Sequence, residues 1–518
     1  MKLPAHAFSM RFLASIEAML VLVLVVLALV RSHFYGDGQE YWLTTVAFAH
    51  HGDPIIRPAD FEFILQLPQG ILDQAGIATG YLKQVETELR AGAAISFGFA
   101  KGNSGTVAIH FWLYSALVTI PYIVGKIFHA PPAAAFTLLN VVMLLGSASY
   151  IRRTLSAERT AVLAVLVLSG GAWYVRWTGP EVMSAALLGA ATAAALRHKW
   201  GTALLCSGIA ASQNPSIIAF YACVAMGAIY LHFRAHGQTG RFDARDFLMA
   251  LIGGVMAFAP YIFNAIEFGV PSLIAVHYTR TDFMSARRFL SALFDLNQGM
   301  LTCLPGLAIS AAALLTMPQT RRQIYGPLLL AIGVCLLMLL PTLATINWNS
   351  GHFVLMRYGY WCCIPVVIVV IDHLRFLTLR SVGILLTVFL VFQILVTYQA
   401  RLYQGGNHLQ QTAVATWFLD HMPSLYNPDP EIFFERETHV ERMMTVDDVV
   451  IHEFNGRPTK VLIHSANRTK KFEECDLNLQ TSGERVYLDR GWLYLNAPFA
   501  CLRWRPAPGR STAPAPSG

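Results

Sequence analysis

An acidic motif, Tyr-Gly-Asp-Gly-Gln-Glu, occupies residues 35–40 of the chain, directly after its first apolar segment. A carboxylate between two glycines can approach a bulky substrate closely, so Asp37 could act as general base towards an acceptor hydroxyl. The structural alternative is that Asp37 caps a helix over 38–51, with Glu40 completing a capping box. One residue can do both, and we expect Asp37 and Glu40 to be catalytic.

A second acid, Glu181, opens a later apolar run. The helix dipole stabilises a carboxylate in a first turn, which is a sufficient structural reason for its position. Paired with Asp37, it could instead share the acceptor or bind a divalent cation, since such oxygen ligands suit Mg²⁺ or Mn²⁺. We therefore expect Glu181 to be catalytic, and Asp37 and Glu181 to be the ligands if a metal is required. Asp53 is a weaker candidate, because Gly-Asp-Pro is also a plain turn.

Cationic and amide side chains near the ends of apolar runs could hold a phosphate. Arg357 is the most informative, because a lone guanidinium at the entrance to an apolar helix is unfavourable unless paired, and arginine suits bidentate phosphate contacts. The other expected substrate-binding residues share such positions: Tyr358, Lys101, His110, Arg280, Asn297, Gln298, Gln213 and Asn214. The alternative is that these side chains contact lipid headgroups or one another.

The composition around these residues is that of a membrane protein. Of the 518 residues, 55% are hydrophobic and only 13% are charged, about half the charged share of a soluble protein. This excludes a secreted, disordered or cytosolic nucleic-acid-binding protein as an interpretation of the whole chain. It predicts a mostly α, polytopic membrane protein with a polar C-terminal domain.

A bilayer core of ~30 Å needs about 20 apolar residues per helix, and such runs predict about eleven spans. They fall at 12–30, 131–151, 158–175, 180–196, 201–213, 215–233, 247–268, 299–317, 325–345, 359–373 and 381–398. The stretch 110–127 is ambiguous. If it lies on the outer surface, the basic clusters of the short loops all face the cytoplasm, which is the usual arrangement. We therefore expect a surface helix there, a cytoplasmic N-terminus and a C-terminal domain outside.

The expected domains follow from this topology. A transmembrane domain, 1–400, contains an extracytoplasmic first loop at 32–130, in which 38–51 and 80–92 are predicted to be amphipathic surface helices.

A small extracytoplasmic α/β or β-rich domain, 401–505, is predicted from alternating runs at 461–464, 486–488 and 492–495, and a disordered tail from 506–518. Whether Cys475 and Cys501 form a disulfide is left open.

The order of these motifs resembles the GT-C superfamily of integral-membrane glycosyltransferases, which includes protein O-mannosyltransferases and the aminoarabinose transferase of lipid A. The resemblance covers roughly 10–400, and no single family fits closely. It rests on the acidic motif after the first span, the surface helices, the segment 110–115, the segment 177–181 (Trp-Thr-Gly-Pro-Glu) and the late pair Arg357-Tyr358. Gly-Asp-Gly-Gln-Glu stands where many members have adjacent Asp-Glu.

The resemblance implies transfer of a sugar from a polyprenyl-phosphate donor to a glycan, lipid or protein acceptor, on the extracytoplasmic face of a bacterial inner or plasma membrane. It implies Asp37 as base, Arg357 with Lys101 or Arg280 at the donor phosphate, and Glu181 as second acid or metal ligand.

Two other functions are open to a membrane protein of this composition. A transporter or flippase would have charged residues at mid-depth and broken helices in symmetric halves, whereas the predicted spans are nearly free of charge at their centres and no halves match. The remaining interpretation is a catalytically silent scaffold whose outer domain binds polysaccharide.

Overall fold

The computed structural model describes residues 36–70, 79–96, 98–234, 243–349, 354–399, 407–467 and 485–497, with a few single residues besides. The predicted span at 12–30 lies outside the described residues except for isolated positions, as do Cys475, Cys501 and the tail 506–518. The described part is mostly helical and carries a small C-terminal sheet, as predicted.

The first loop folds into helices and a three-stranded antiparallel sheet, followed by a longer helix. These elements are α1 (Gly38–His51), α2 (Pro58–Leu65), α3 (Thr79–Arg90), β1 (Ile95–Ser96), β2 (Phe99–Lys101), β3 (Thr106–Ala108) and α4 (Leu113–Ile127). Helix α3 buries one stripe, Leu82, Val85 and Leu89, so it is amphipathic as predicted.

Helix α1 differs from the predicted amphipathic surface helix, because it is buried on more than one face over most of its length. It packs against α2, β3 and α4. Two of its polar positions tolerate this burial because the hydroxyls of Thr44 and Thr45 donate to the backbone carbonyls of Glu40 and Tyr41, so both buried hydroxyls have a partner.

The apolar helices form a bundle. They are α5 (Pro132–Leu155), α6 (Ala161–Tyr174), α7 (Glu181–Ala195), α8 (Trp200–Ala211), α9 (Ile218–Arg234) and α10 (Ala244–Phe268). After the short helices α11 (Leu273–His277), α12 (Ala286–Phe294) and α13 (Met300–Cys303), the bundle continues with α14 (Pro305–Thr316), α15 (Pro318–Thr342), α16 (Arg357–Leu374) and α17 (Leu379–Gln399).

Six described helices are long and apolar enough to cross a membrane: α5, α9 with its preceding turn, α10, α15, α16 and α17. The prediction of about eleven spans is not confirmed, because the predicted spans at 158–175, 180–196, 201–213 and 299–317 correspond to helices of 10–17 residues. A hydropathy average does not detect helix breaks such as the π turn Val167–Gly171, where Gly170 has a φ of 124°. Helix α4 is also short, with 15 residues.

Contacts between helix ends define two ends of the bundle. At one end, Arg197 after α7 donates to Asp372 near the end of α16 (2.5 Å) and to the carbonyl of Leu155 at the end of α5. Arg152 and Arg153 lie in the last turn of α5, and we call this the basic end. The first residues of α7 and α16 lie at the other end, which we call the site end.

The C-terminal domain combines two helices with a four-stranded antiparallel sheet. Its elements are α18 (Ala413–His421), α19 (Pro430–Thr438), β4 (Val449–Phe454), β5 (Arg457–His464), β6 (Arg485–Tyr487) and β7 (Trp492–Asn496), with strand order β4-β5-β7-β6. The predicted alternating runs fall on β5, β6 and β7. Asn455 and Gly456 join β4 to β5 with φ values of 54° and 70°, as a two-residue hairpin turn requires.

Arg288 joins this domain to the membrane part at the site end. Its side chain is fully buried. One guanidinium nitrogen donates to the carbonyls of Leu343 (2.9 Å) and Thr345 (2.8 Å), and another to the carboxylate of Glu431 on α19 (2.8 Å). The guanidinium also lies 4.7 Å from the ring of Trp348. The segment 269–298 therefore serves as a platform for the C-terminal domain.

Substituting Arg288 by methionine should destabilise the protein, because Glu431 would remain buried without its cation. Loss of one partner of a buried ion pair typically costs about 3–5 kcal/mol, so the melting temperature in detergent should fall by several degrees. The neighbour Arg287, which is half-buried and makes one hydrogen bond to the carbonyl of Tyr487 (3.3 Å), is the control when substituted in the same way and should change it much less. Equal melting temperatures for the two variants would contradict this role of Arg288.

Candidate functional site

Asp37 stands at the N-cap position of α1, but its carboxylate makes no capping hydrogen bond. Its Oδ2 instead accepts a hydrogen bond from Nη1 of Arg357 (2.7 Å) and lies 3.3 Å from Nε2 of His110. The capping alternative for this side chain is therefore wrong. The carboxylate is directed at two cationic groups from distant parts of the chain.

Glu40 lies one turn further along α1 and completes a chain of charged groups. Its Oε2 is 2.6 Å from Nδ1 of His110, whose ring thus bridges Glu40 and Asp37. Gly98, with a φ of 94°, forms the wall behind it, since a Cβ there would overlap the Glu40 carboxylate. Glu40 is therefore not part of a capping box, because its carboxylate is bound to an imidazole.

Arg357 is the first residue of α16 and keeps unused donors. Besides the bond to Asp37, its Nη2 donates to the hydroxyl of Tyr358 (3.2 Å), and its side chain is only 15% exposed. Its Nε is buried and has no hydrogen-bond partner within the described part of the chain. A buried guanidinium with a spare donor can accept an anion without first breaking all of its own contacts.

Glu181, at the start of α7, is buried close enough to Arg357 and Asp37 for their charges to interact. Its Oε2 is buried without a hydrogen-bond partner in the described residues. The site thus contains three carboxylates, one guanidinium and one imidazole at the site end of the bundle.

Asp37, Glu40 and His110 have side chains that could ligate a metal ion. Ligand atoms of Asp37, Glu40 and His110 lie within 4.8 Å of one another, a group that leaves out Glu181. Such a group requires three ligands, so the expected pairing of Asp37 with Glu181 is not tested by it and stays a prediction. A cation at Asp37 would also have to compete with the guanidinium of Arg357 for the same oxygen, and His110 would have to be neutral to ligate.

The pKa values of these side chains depend on two opposing effects, burial and the charges of their neighbours. Burial raises the pKa of Asp37, but the charges of His110 and Arg357 outweigh it and lower that pKa to about 2. Burial raises the pKa of Glu40 to about 7, even though His110 acts against it. Burial lowers the pKa of His110, but the charges of Glu40 and Asp37 raise it to about 9. At neutral pH, Asp37 is therefore an anion held between two cations.

The glycines beside Asp37 do something other than what the sequence predicted. Gly36, with a φ of 50°, lies against the ring of Trp177, and a Cβ at Gly38 would overlap the side chain of Thr178. They let the start of α1 approach the segment before α7. The space beside the two glycines, which was predicted to hold a substrate, is therefore occupied by Trp177 and Thr178. This close approach brings Asp37 and Glu181 into one site.

The remaining predicted substrate-binding residues lie apart from this group. Gln213 donates to the carbonyl of Phe111 and accepts from the amide of Tyr114, fixing the start of α4, and Asn214 donates to Ser184 on α7. These amides hold the backbone around the site. Within the described part of the chain, the side chains of Gln213 and Asn214 form no hydrogen bond with Asp37 or Arg357.

Asn297 and Gln298 are buried in the platform for the C-terminal domain. The Asn297 amide donates to the hydroxyl of Tyr426 (2.8 Å), and Gln298 accepts at its backbone carbonyl from the amide of Met356, next to Arg357. The exposed Arg280 is paired with Asp282 at 3.0 and 2.8 Å.

Lys101 is exposed at the end of β2, away from Glu40, although Gly98 just before that strand touches Glu40. Asp53 binds Arg57 and the amide of Ile55, so it belongs to a turn.

Two tyrosines that are not among the predicted site residues lie near the acids. Burial, followed by the charges of Glu40 and Asp37, raises the pKa of both Tyr81 and Tyr278. Tyr81 lies at the start of α3, and no sequence signal connects it with residue 40. Tyr278 lies in a polar segment where charged residues draw more attention.

The charge group predicts a pH dependence of stability. The pKa of His110 rises from 6.5 in the unfolded chain to about 9, so its contribution is fully present below pH 6.5 and is lost as the pH rises through 9. The melting temperature should therefore fall between pH 7 and 9. The double variant Glu40→Gln/His110→Gln should show a smaller fall. A His277→Gln variant, altered at an exposed histidine, should behave as the wild type, and identical curves for all three would contradict the assignment.

Comparison of the chain with protein-family models, with curated proteins and with solved structures finds no match. The functional interpretation therefore rests on the geometry of Asp37, Glu40, His110, Glu181 and Arg357.

Proposed function

We propose that the protein is a membrane glycosyltransferase of the GT-C type, which moves a sugar from a polyprenyl-phosphate donor to an acceptor outside the cytoplasm. The observation that carries this proposal is the Asp37 carboxylate, which caps no helix and faces Arg357 and His110 at one end of a bundle of apolar helices. A base beside a phosphate-binding cation is what such a transfer requires.

In the proposed reaction, the donor phosphate displaces Asp37 from Arg357. Loss of this partner raises the pKa of Asp37 part of the way from its low value, while His110 still lowers it, so the carboxylate is a stronger base when the donor is bound. Asp37 then takes the proton of the acceptor hydroxyl, whose oxygen forms a bond to the anomeric carbon. The bond from that carbon to the phosphate oxygen breaks, and the lipid phosphate leaves with both electrons, paired with Arg357.

An apolar groove supports a lipid-linked donor. It has a volume of about 760 Å³ and is lined by α10, including the exposed side chains of Phe247, Val255 and Ile266, together with Tyr221 of α9. Another of its residues, Phe263, contacts the ring of Trp112 at 6.2 Å between centroids. Since Trp112 is two residues from His110, a prenyl chain in this groove would have its phosphate end near the charged group.

The distribution of basic residues supports an extracytoplasmic site. Arg152, Arg153, Arg197 and Arg375 lie at the basic end, opposite the ends of α7 and α16 that carry Glu181 and Arg357. Arginine and lysine in short loops favour the cytoplasm. The basic end would then be cytoplasmic, and the site and the C-terminal domain would lie outside.

A divalent cation remains a further proposal for Asp37, Glu40 and His110, but the step above does not require one. Arg357 and His110 already supply positive charge beside Asp37. We rank a transporter second, since the ion pairs of the described bundle, such as Arg197–Asp372, lie near helix ends and not at mid-depth.

Asp37→Asn should lower the rate of transfer strongly in a protein that still folds, because the amide oxygen of asparagine can still accept the hydrogen bond from Arg357. Cells lacking the gene would be complemented with wild type, Asp37→Asn or Asp53→Asn, and their surface glycans and lipid-linked sugars compared by mass spectrometry. Loss of a general base typically lowers the rate by about 10²–10⁴-fold, so Asp37→Asn cells should accumulate the lipid-linked sugar as the deletion does. Asp53→Asn changes an exposed acid of the same loop and should restore the wild-type pattern.

A folded Asp37→Asn protein that restores the glycan fully would remove the enzyme from consideration. A deletion that blocks the appearance of a lipid-linked sugar outside the membrane, with its later transfer intact in broken membranes, would indicate the transporter instead.

Arg357→Lys should weaken the use of the donor, because lysine keeps the charge but loses the planar fork that binds a phosphate through two donors. In membranes supplied with lipid-linked sugars extracted from the deletion strain, transfer should fall by about tenfold or more, equivalent to ~1.4 kcal/mol. Arg280→Lys is the matched control, since Arg280 is paired with Asp282 at the surface. Equal losses in both variants would place the phosphate elsewhere.

A further inference from the structure

A second cluster of ligand-type side chains lies away from the proposed active site. His50 and His51 end α1, and Asp60 lies in the first turn of α2. One oxygen of Asp60, Oδ1, is 2.8 Å from Nδ1 of His50 and 3.1 Å from Nε2 of His51. The three ligand atoms all lie within 4.8 Å of one another.

The carboxylate at the centre of this cluster is held in place. Asp60 is fully buried, and its Oδ2 accepts a hydrogen bond from the amide of Arg57 at 2.8 Å. The chain reaches α2 through Gly52, whose φ of 76° ends α1 immediately after His51. A backbone bond to one carboxylate oxygen orients the other, as outer contacts commonly do for metal ligands.

Consecutive residues of a helix point about 100° apart, so two neighbouring imidazoles rarely meet at one atom. Here both rings turn towards Oδ1 of Asp60, and the ring of His50 is supported at its edge by Phe63, 5.0 Å between centroids. If the cluster served only to give the Asp60 carboxylate hydrogen-bond partners, one imidazole and the Arg57 amide would be enough. The second imidazole gives the cluster the donor set of a transition-metal site.

We propose that His50, His51 and Asp60 bind a zinc ion. Zinc takes imidazole nitrogen and carboxylate oxygen at about 2.0–2.1 Å in a tetrahedral arrangement. Neighbouring ligand atoms then lie roughly 3.3 Å apart, so the two nitrogen–oxygen separations, 2.8 and 3.1 Å, need to widen by only a few tenths of an ångström. The His50 side chain is 30% exposed, and water can supply the fourth ligand. Both imidazoles would ligate in the neutral form, and their N–H protons would point away from the metal.

The ion would join α1 to α2 at the end of α1 opposite Asp37. His50 follows Asp37 by thirteen positions along the helix, or about 20 Å, so this site is distinct from the group of Asp37, Glu40 and His110. Because α1 carries both of those acids, zinc at its far end would fix the helix that positions them. The inference does not depend on the proposed transferase activity.

The test uses the full-length protein in detergent, purified through an affinity tag without histidine and stripped of metal. Zinc is titrated against a chromophoric chelator. We expect one tight equivalent in the wild type, bound at least about tenfold more weakly by His50→Ala/His51→Ala. The double variant His129→Ala/His277→Ala removes two exposed histidines outside the cluster and should bind as the wild type does. Glu40→Gln/His110→Gln should also keep the tight equivalent, which separates this site from the other one.

A melting curve shows whether each variant is folded and gives a second measure of zinc binding. Zinc should raise the melting temperature of the stripped wild type, because an ion that binds only the folded state stabilises it, and should leave that of His50→Ala/His51→Ala unchanged. The proposal is overturned if the wild type holds no tight zinc and shows no thermal shift. It is also overturned if Glu40→Gln/His110→Gln, rather than the His50/His51 variant, loses the ion.

Discussion

The ion pair between Asp37 and Arg357 joins residues 320 positions apart in the chain and sets the arrangement of everything around it. Both side chains are largely withdrawn from solvent, where a charge without a partner is strongly unfavourable. The start of α1 and the start of α16 are therefore obliged to meet. His110 and Glu40 extend the pair, and the packing of Gly36 and Gly38 on the segment 177–178 lets Glu181 join it.

The same pair restrains the chemistry that we propose. An aspartate with a pKa of about 2 is a poor base, so the free protein holds its carboxylate in an unreactive form. A donor phosphate that engages Arg357 would remove one part of this restraint and leave the part due to His110, so the carboxylate would be a stronger base with the donor bound than without it. An interaction that is released when the substrate binds contributes to the reaction step and not only to affinity.

Some of this site could be predicted from the sequence because the surrounding chain is apolar. Asp37, Glu181 and Arg357 each stand beside a hydrophobic run, where a charge must have a partner or a function. The partner of Glu40 could not be predicted, since His110 reaches it only after the intervening loop has folded into three helices and a sheet. The side-chain amides at the ends of apolar runs were predicted to bind substrate, but their hydrogen bonds are to the protein itself. Gln213 and Asn297 bind protein groups, and an amide that fixes a loop looks the same in a sequence as one that binds a substrate.

The helix count shows another limit of sequence patterns. Average hydropathy over 158–175 or 299–317 predicts continuous spans, but the chain breaks at Gly170 and again at Leu304 before Pro305. Such breaks depend on local backbone geometry and on side chains that fill the gap. Gln393 on α17, for example, donates to the carbonyls of Leu168 and Cys303 beside both breaks.

The anchoring of the C-terminal domain has a consequence for how the protein can evolve. Glu431 on α19 accepts from the backbone amides of Trp348 and Asn349, and Arg436 donates to the side chain of Asn349 (3.0 Å). That stretch of chain leads directly towards Arg357. If this domain were exchanged for an unrelated one by gene fusion, Trp348 and Asn349 would lose their hydrogen bonds to Glu431 and Arg436. The C-terminal domain and the residues before Arg357 therefore have to evolve together. A folded chimera would need both the domain and the segment 348–349 that it contacts.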